Sequence, residues 1–163
     1  MIRLVFILLL PLALLGQNNV CFEIAENPNP SIDALALFPK YVNVLDCIHI
    51  YAEQSISDSK VLHAAAIAAE LLDNNEDGII DDENVKNALM DLYTVMPLFA
   101  YEGSNAEEIL FDNFDDLMDN NNFCAGAVLY NNEIDPSSPG FWGNDASVEE
   151  MLHTINACSH VEI

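Results

Sequence analysis

The chain has 163 residues, 52% of them hydrophobic, and a formal net charge of −23 that sets 27 acidic residues against four basic ones. That balance argues against nucleic acid and anionic membranes as partners, while the length suits one domain able to bury a real core. The four cysteines, Cys21, Cys47, Cys124 and Cys158, lack CxxC spacing, which disfavours a zinc ribbon or a thioredoxin-like centre. A carboxylate surplus of this size either stays solvated or is partly neutralised by divalent cations, and the clustering of the aspartates makes local cation binding the sharper expectation.

In chain order, Met1-Ile2-Arg3 precedes the apolar run Leu4–Leu15, then Gly16 and the polar Gln17-Asn18-Asn19. This reads as a signal peptide over residues 1–16, cleaved after Gly16. The run is shorter than the roughly 20 residues a membrane span needs. The mature chain is therefore expected to be secreted and free of the membrane, with its cysteines in an oxidising compartment that favours disulfides. Three pairings are open. Residues 17–40, rich in proline and asparagine, read as an extended N-terminal segment, and residues 41–163 as one acidic α+β domain.

Tyr41 to Ala52 is rich in Val, Ile and Tyr with alternating polarity, which predicts two short strands or one broken at Asp46. Ser55 and Asp58 form a capping box ahead of the Ala-rich helix Val61–Leu72. After an acidic loop, Val85, Ala88, Leu89 and Leu92 recur at helical spacing, and Thr94–Tyr101 reads as a strand. Ser104 and Glu107 open a helix through Leu110, Phe114 and Met118 that ends at Asn120-Asn121-Asn122. A strand is predicted within 123–129, a turn over Asp135–Gly140, and a last helix opened by a third capping box, Ser147 with Glu150. The fold expected is a small α+β domain with three to four helices, a few short strands and one helix-loop-helix.

The loop Asp73–Asn84 carries the clearest chemistry. Counting Asp73 as position 1, side-chain oxygens fall at 1, 3, 5 and 9, from Asp73, Asn75, Asp77 and Asp81, and Gly78 occupies position 6. Calcium needs six to eight oxygens on a tightly curved backbone; alternate side chains turn inward, glycine permits the bend, and the Ile79 carbonyl completes the inner ring. Ile80 supplies an apolar contact. With a helix on each side this resembles an EF-hand loop. It departs at position 12, where Asn84 stands in place of the bidentate glutamate and Glu83 comes one residue early. An amide gives one neutral oxygen for two charged ones, so affinity is expected to fall to the ~10⁻⁴ to 10⁻³ M class.

Among the histidines, His49 and His63 read as packing or surface residues. The last helix places Glu149 and Glu150 at i, i+4 and i, i+3 to His153, so either can share a face with it. A second metal set, zinc in the simplest case, would combine Glu149 or Glu150 and His153 with His63 from elsewhere, giving a metal-dependent hydrolase as the alternative to a calcium-binding protein. The pattern His-Glu-x-x-His of zinc proteases is absent. His160 lies about 10 Å further along a helix from His153, too far to share an ion.

Two further resemblances bear on function. Asp-Asn-Asp-Gly with a short polar residue at position 12 resembles dockerin loops, which imply a docking module, although the tandem second loop of that family is missing. Ile50-Tyr51-Ala52, Lys60–Ala65, Leu71–Gly78 and Asp145–His153 resemble a group of uncharacterised secreted proteins. That resemblance implies no reaction, but it implies a longer chain continuing beyond the last helix and, through its Glu-Glu-x-x-His helix, a second metal site.

Overall fold

The structure is a computed structural model and describes residues 22–137 and 145–159. The predicted signal peptide, Cys21, the end of the Asp135–Gly140 turn and His160 lie outside these residues. The strands are β1 Ala25–Glu26, β2 Lys40–Val44, β3 Ile48–Ala52, β4 Tyr93–Phe99, β5 Phe123–Cys124 and β6 Leu129–Tyr130; the helices are α1 Asp58–Leu72, α2 Glu83–Asp91, α3 Asn105–Asp112, α4 Phe114–Asn121 and α5 Ser147–Ser159. No helix among the described residues is long and apolar enough to cross a membrane.

The fold is α+β, and its six strands form one mixed sheet in the order β1-β2-β3-β4-β5, with β6 also on β4. Strands β2 and β3 make an antiparallel hairpin in which Val42 faces Ile50 and Val44 faces Ile48. Leu45 and Asp46, both at positive φ, turn the chain between them, so the irregularity at Asp46 is a hairpin turn. From β3 the chain crosses over through α1 and α2 to parallel β4, as a parallel pair requires. Along its other edge β4 meets β5 only at Tyr93 and Thr94 and β6 only at Leu98 and Phe99. Residue 97 falls in the gap, where a proline without an amide hydrogen is tolerated.

Period-two alternation divides the core. Ile48, Ile50, Ala52, Met96 and Leu98 point to one face and pack against α1, α2 and α5, whereas Tyr51, Val95 and Phe99 point to the other and pack against α3, α4 and the 3-10 turn Asp33–Leu35. Alanines at 64, 65 and 68, fully buried, let α1 lie close on the first face. Segment 22–40 does more than lead in. It adds β1 to the sheet, and Ala34, Leu35 and Phe38 are buried in the second face.

Several helix boundaries differ from the sequence reading for identifiable reasons. The cap of α1 is Ser57, with no side-chain cap bond; its hydroxyl lies 3.0 Å from that of Ser59, while Asp58 pairs with Lys40 at 2.8 Å. The predicted helix 107–122 is two helices, since Asn113 turns its side-chain amide back to the Ile109 carbonyl at 2.8 Å and breaks the ladder. Ser104 does cap α3 through Glu107 N, but the Glu107 carboxylate goes to Gly103 N and the Tyr130 hydroxyl. Strand 123–129 is interrupted at Gly126, whose missing Cβ would lie 2.7 Å from Thr154 Cα and Ala157 Cβ. Helix α5 thus passes directly over that residue. Cys124 and Cys158 are disulfide-bonded across the same contact, with Cα atoms 5.8 Å apart. Cys47 is fully buried, and burial pushes its thiol up to about 11.

Candidate functional site

The loop between α1 and α2 is built around Asp73. As the C-cap of α1 it gives its N–H to the Ala69 carbonyl, and its side chain, only 5% exposed, turns back across the loop. One carboxylate oxygen accepts from Gly78 N at 2.6 Å and the other from Asp77 N at 3.2 Å. Asn75 Oδ1 also accepts from Asp77 N, at 3.0 Å, and Asp77 Oδ1 accepts from Ile79 N at 2.9 Å. Alternate side chains therefore brace the backbone amides of the bend, as their spacing requires. Gly78 sits at φ +84° and Glu76 at φ +59°; glycine takes that conformation without a steric penalty.

The remaining predicted ligands are placed less uniformly. Asp81 accepts from Asn74 N at 2.9 Å and from the side-chain amides of Asn74 and Asn75, both at 3.2 Å. Its carboxylate thus closes the loop through amide donors. Ile79 leaves its side chain in solvent, while Ile80 is buried with Leu72 and Leu89 in the core, so the apolar position anchors the loop to the domain. Asp82 caps α2 by accepting from Asn84 N and Val85 N, and Asn84 lies exposed in the first turn of α2. Among the described residues, no three His, Cys, Asp or Glu side chains are grouped so as to hold a metal ion.

The second predicted set is not brought together as one centre. His63 on α1 pairs through Nε2 with Asp145 Oδ2 at 2.7 Å, both side chains being largely buried. Asp145 also accepts from Ser147 N and Oγ, at 3.2 and 2.6 Å, so Ser147 donates back to Asp145, and Asp145 caps the start of α5 in place of the predicted Ser147–Glu150 capping box. Burial tends to raise the Asp145 carboxyl, but hydrogen bonds from Ser147 and His63 outweigh it and hold the group below the usual carboxylate range. His153 is more than half exposed, and among the described residues its partner is Glu150 at 3.4 Å. Glu149 is exposed.

His49 lies on the opposite face of the sheet. Its ring stacks on Tyr93 with centroids 3.8 Å apart, and Nδ1 meets the Tyr41 hydroxyl at 2.6 Å. Burial lowers its pKa to about 4, with nearby Asp46 opposing the shift. Tyr51, Tyr93 and Asn29 extend this group: the two phenol oxygens are 2.9 Å apart, and the Asn29 amide donates to both.

Asp145 was the member missing from the sequence reading. Its local signal was an aspartate two residues before a serine at a helix start, an Asx cap, but its pairing with His63 spans 82 residues. The His63–Asp145 pair borders a cleft of about 590 Å³ that also reaches Asp73 of the acidic loop. No family model matches the chain, and no curated protein or solved structure is detectably similar to it.

Proposed function

We propose that this chain is a secreted calcium-binding protein whose single EF-hand-type loop, Asp73–Asn84, takes a weakly held ion that braces α1 against α2. The observation that carries the reading is the inward-turned Asp73 carboxylate, held by Asp77 N and Gly78 N at the mouth of a helix-loop-helix that Ile80 ties to the core. Asp73, Asn75, Asp77, the Ile79 carbonyl, Asp81 and Asn84 are the ligands under this reading. Calcium would draw Asp81 away from the Asn74 and Asn75 amides that now satisfy it. That exchange adds to the missing bidentate carboxylate at Asn84, so an affinity in the ~10⁻⁴ to 10⁻³ M class fits, a range that extracellular calcium fills. A fixed structural ion suits a lone loop better than a sensor role, because sensor EF-hands open an apolar groove on binding.

Metal analysis of the purified mature chain, followed by thermal unfolding with calcium, magnesium or chelator, tests this. Calcium at a hundredfold its dissociation constant should stabilise the fold by about 2.7 kcal/mol. Asp73→Ala or Asp77→Ala should abolish the shift. A calcium shift retained in both variants would remove the loop as the site.

A further inference from the structure

We infer that Asn74, at position 2 of the loop and outside its ligand set, is a positioning residue that sets calcium affinity, and the choice of calcium over magnesium, by holding Asp81; this role rests on the calcium reading of the loop. The two halves of the loop are prepared differently. Side-chain oxygens of Asp73, Asn75 and Asp77 accept from the backbone amides of the bend. Asp81 has a fixed backbone instead, since its N–H donates to the Leu72 carbonyl at 2.9 Å next to the buried Ile80. Its side chain is committed to asparagine donors. Oδ2 accepts from Asn74 N at 2.9 Å and from Asn74 Nδ2 at 3.2 Å, while Oδ1 accepts from Asn75 Nδ2 at 3.2 Å.

The two asparagines differ in what they can give an ion. Asn75 offers its own Oδ1 as a ligand, so its amide ties positions 3 and 9 together within one ligand set. The Asn74 side chain adds no oxygen to that set, and its amide only occupies Asp81 Oδ2. Apparent affinity scales with the fraction of loops whose ligands are free to bind, and the Asn74 amide lowers that fraction. Calcium takes six to eight oxygens and has to recruit Asp81, whereas magnesium takes six positions and keeps several waters among them. The competition therefore falls on calcium. Asn74 and Asp81 are both exposed, so the effect is modest.

The test is a calorimetric titration of the whole mature protein and of Asn74→Ala, with calcium and with magnesium. Asn74→Ala should tighten calcium binding about threefold, one hydrogen bond at the lower end of its usual worth, and leave magnesium binding unchanged. A merely structural Asn74 would weaken both metals together. In chelator, the side-chain amide resonances of Asn74 should move on Asp81→Ala, which reads the contact itself without any metal. Unchanged or weaker calcium binding by Asn74→Ala, an equal gain for magnesium, or Asn74 resonances indifferent to Asp81→Ala overturns the inference. Calcium binding by the parent with no gain in Asn74→Ala removes this role alone; no calcium binding by either removes the calcium reading and this role with it.

Discussion

The two faces of the sheet are built from different chemistry. Beneath α1, α2 and α5 the core is aliphatic, with small alanines that allow close approach and a disulfide that fastens the last helix. Beneath α3, α4 and the Asp33–Leu35 turn it is aromatic, and Tyr41, His49, Tyr51 and Tyr93 carry a hydrogen-bonded polar group into it. The first face holds shape by close packing and a covalent link. The second holds a titratable imidazole whose pKa burial lowers, so its stability should fall as pH drops through the acid range.

The comparison is broken most severely by releasing α5. Replacing both Cys124 and Cys158 with alanine opens a loop of 34 residues, and chain entropy alone makes the loss about 4 kcal/mol; denaturant unfolding of the double variant measures it. Gly126→Ala attacks the same contact from the other side, since its Cβ would meet α5 backbone at 2.7 Å. A loss of about 1–3 kcal/mol is expected from the overpacking, with the circular dichroism of the folded state retained.

The aromatic face is sharpened by pH. His49 has a folded pKa near 4 against about 6.5 when unfolded, so the unfolded chain takes the proton first. Its contribution is complete above pH 6.5, declines as pH falls toward 4, and is constant below that. Allowing for partial exposure, the decline should be about 1–2 kcal/mol. His49→Gln should flatten the stability profile between pH 6.5 and 4 relative to the parent, whatever it does to the plateau; an unchanged slope would contradict the assignment. Smallest is Tyr51→Phe, which removes the hydroxyl shared by Tyr93 and Asn29 and should cost about 1 kcal/mol.

Local signals were legible where local forces decide. The alanine run made α1 identifiable, and the spacing of Asp73, Asn75, Asp77 and Gly78 marked the bend whose backbone amides those side-chain oxygens accept from. Alternation from Tyr41 to Ala52 foretold the hairpin. What escaped was set across distance. Ser55 has no capping role because α1 starts at Asp58 with Ser57 as its cap, and Asp58 pairs with Lys40 of β2. The 123–129 strand was cut by the passage of α5 over Gly126. His63 carried no local clue to Asp145, since the approach of α5 to α1 is what brings them together. Likewise the proline-rich lead-in buried Leu35 and Phe38 because a sheet face assembled elsewhere was there to receive them.

The register of the acidic loop is read out most directly by a calorimetric calcium titration of the parent, Asn84→Glu and Glu83→Gln. With Asn84 at position 12, the parent is expected to bind in the ~10⁻⁴ to 10⁻³ M range. Asn84→Glu restores a bidentate carboxylate and tightens binding by about tenfold or more, which takes only about 1.4 kcal/mol, and Glu83→Gln changes little. No heat of binding in any of the three, or weakening by Glu83→Gln with no gain from Asn84→Glu, would contradict it.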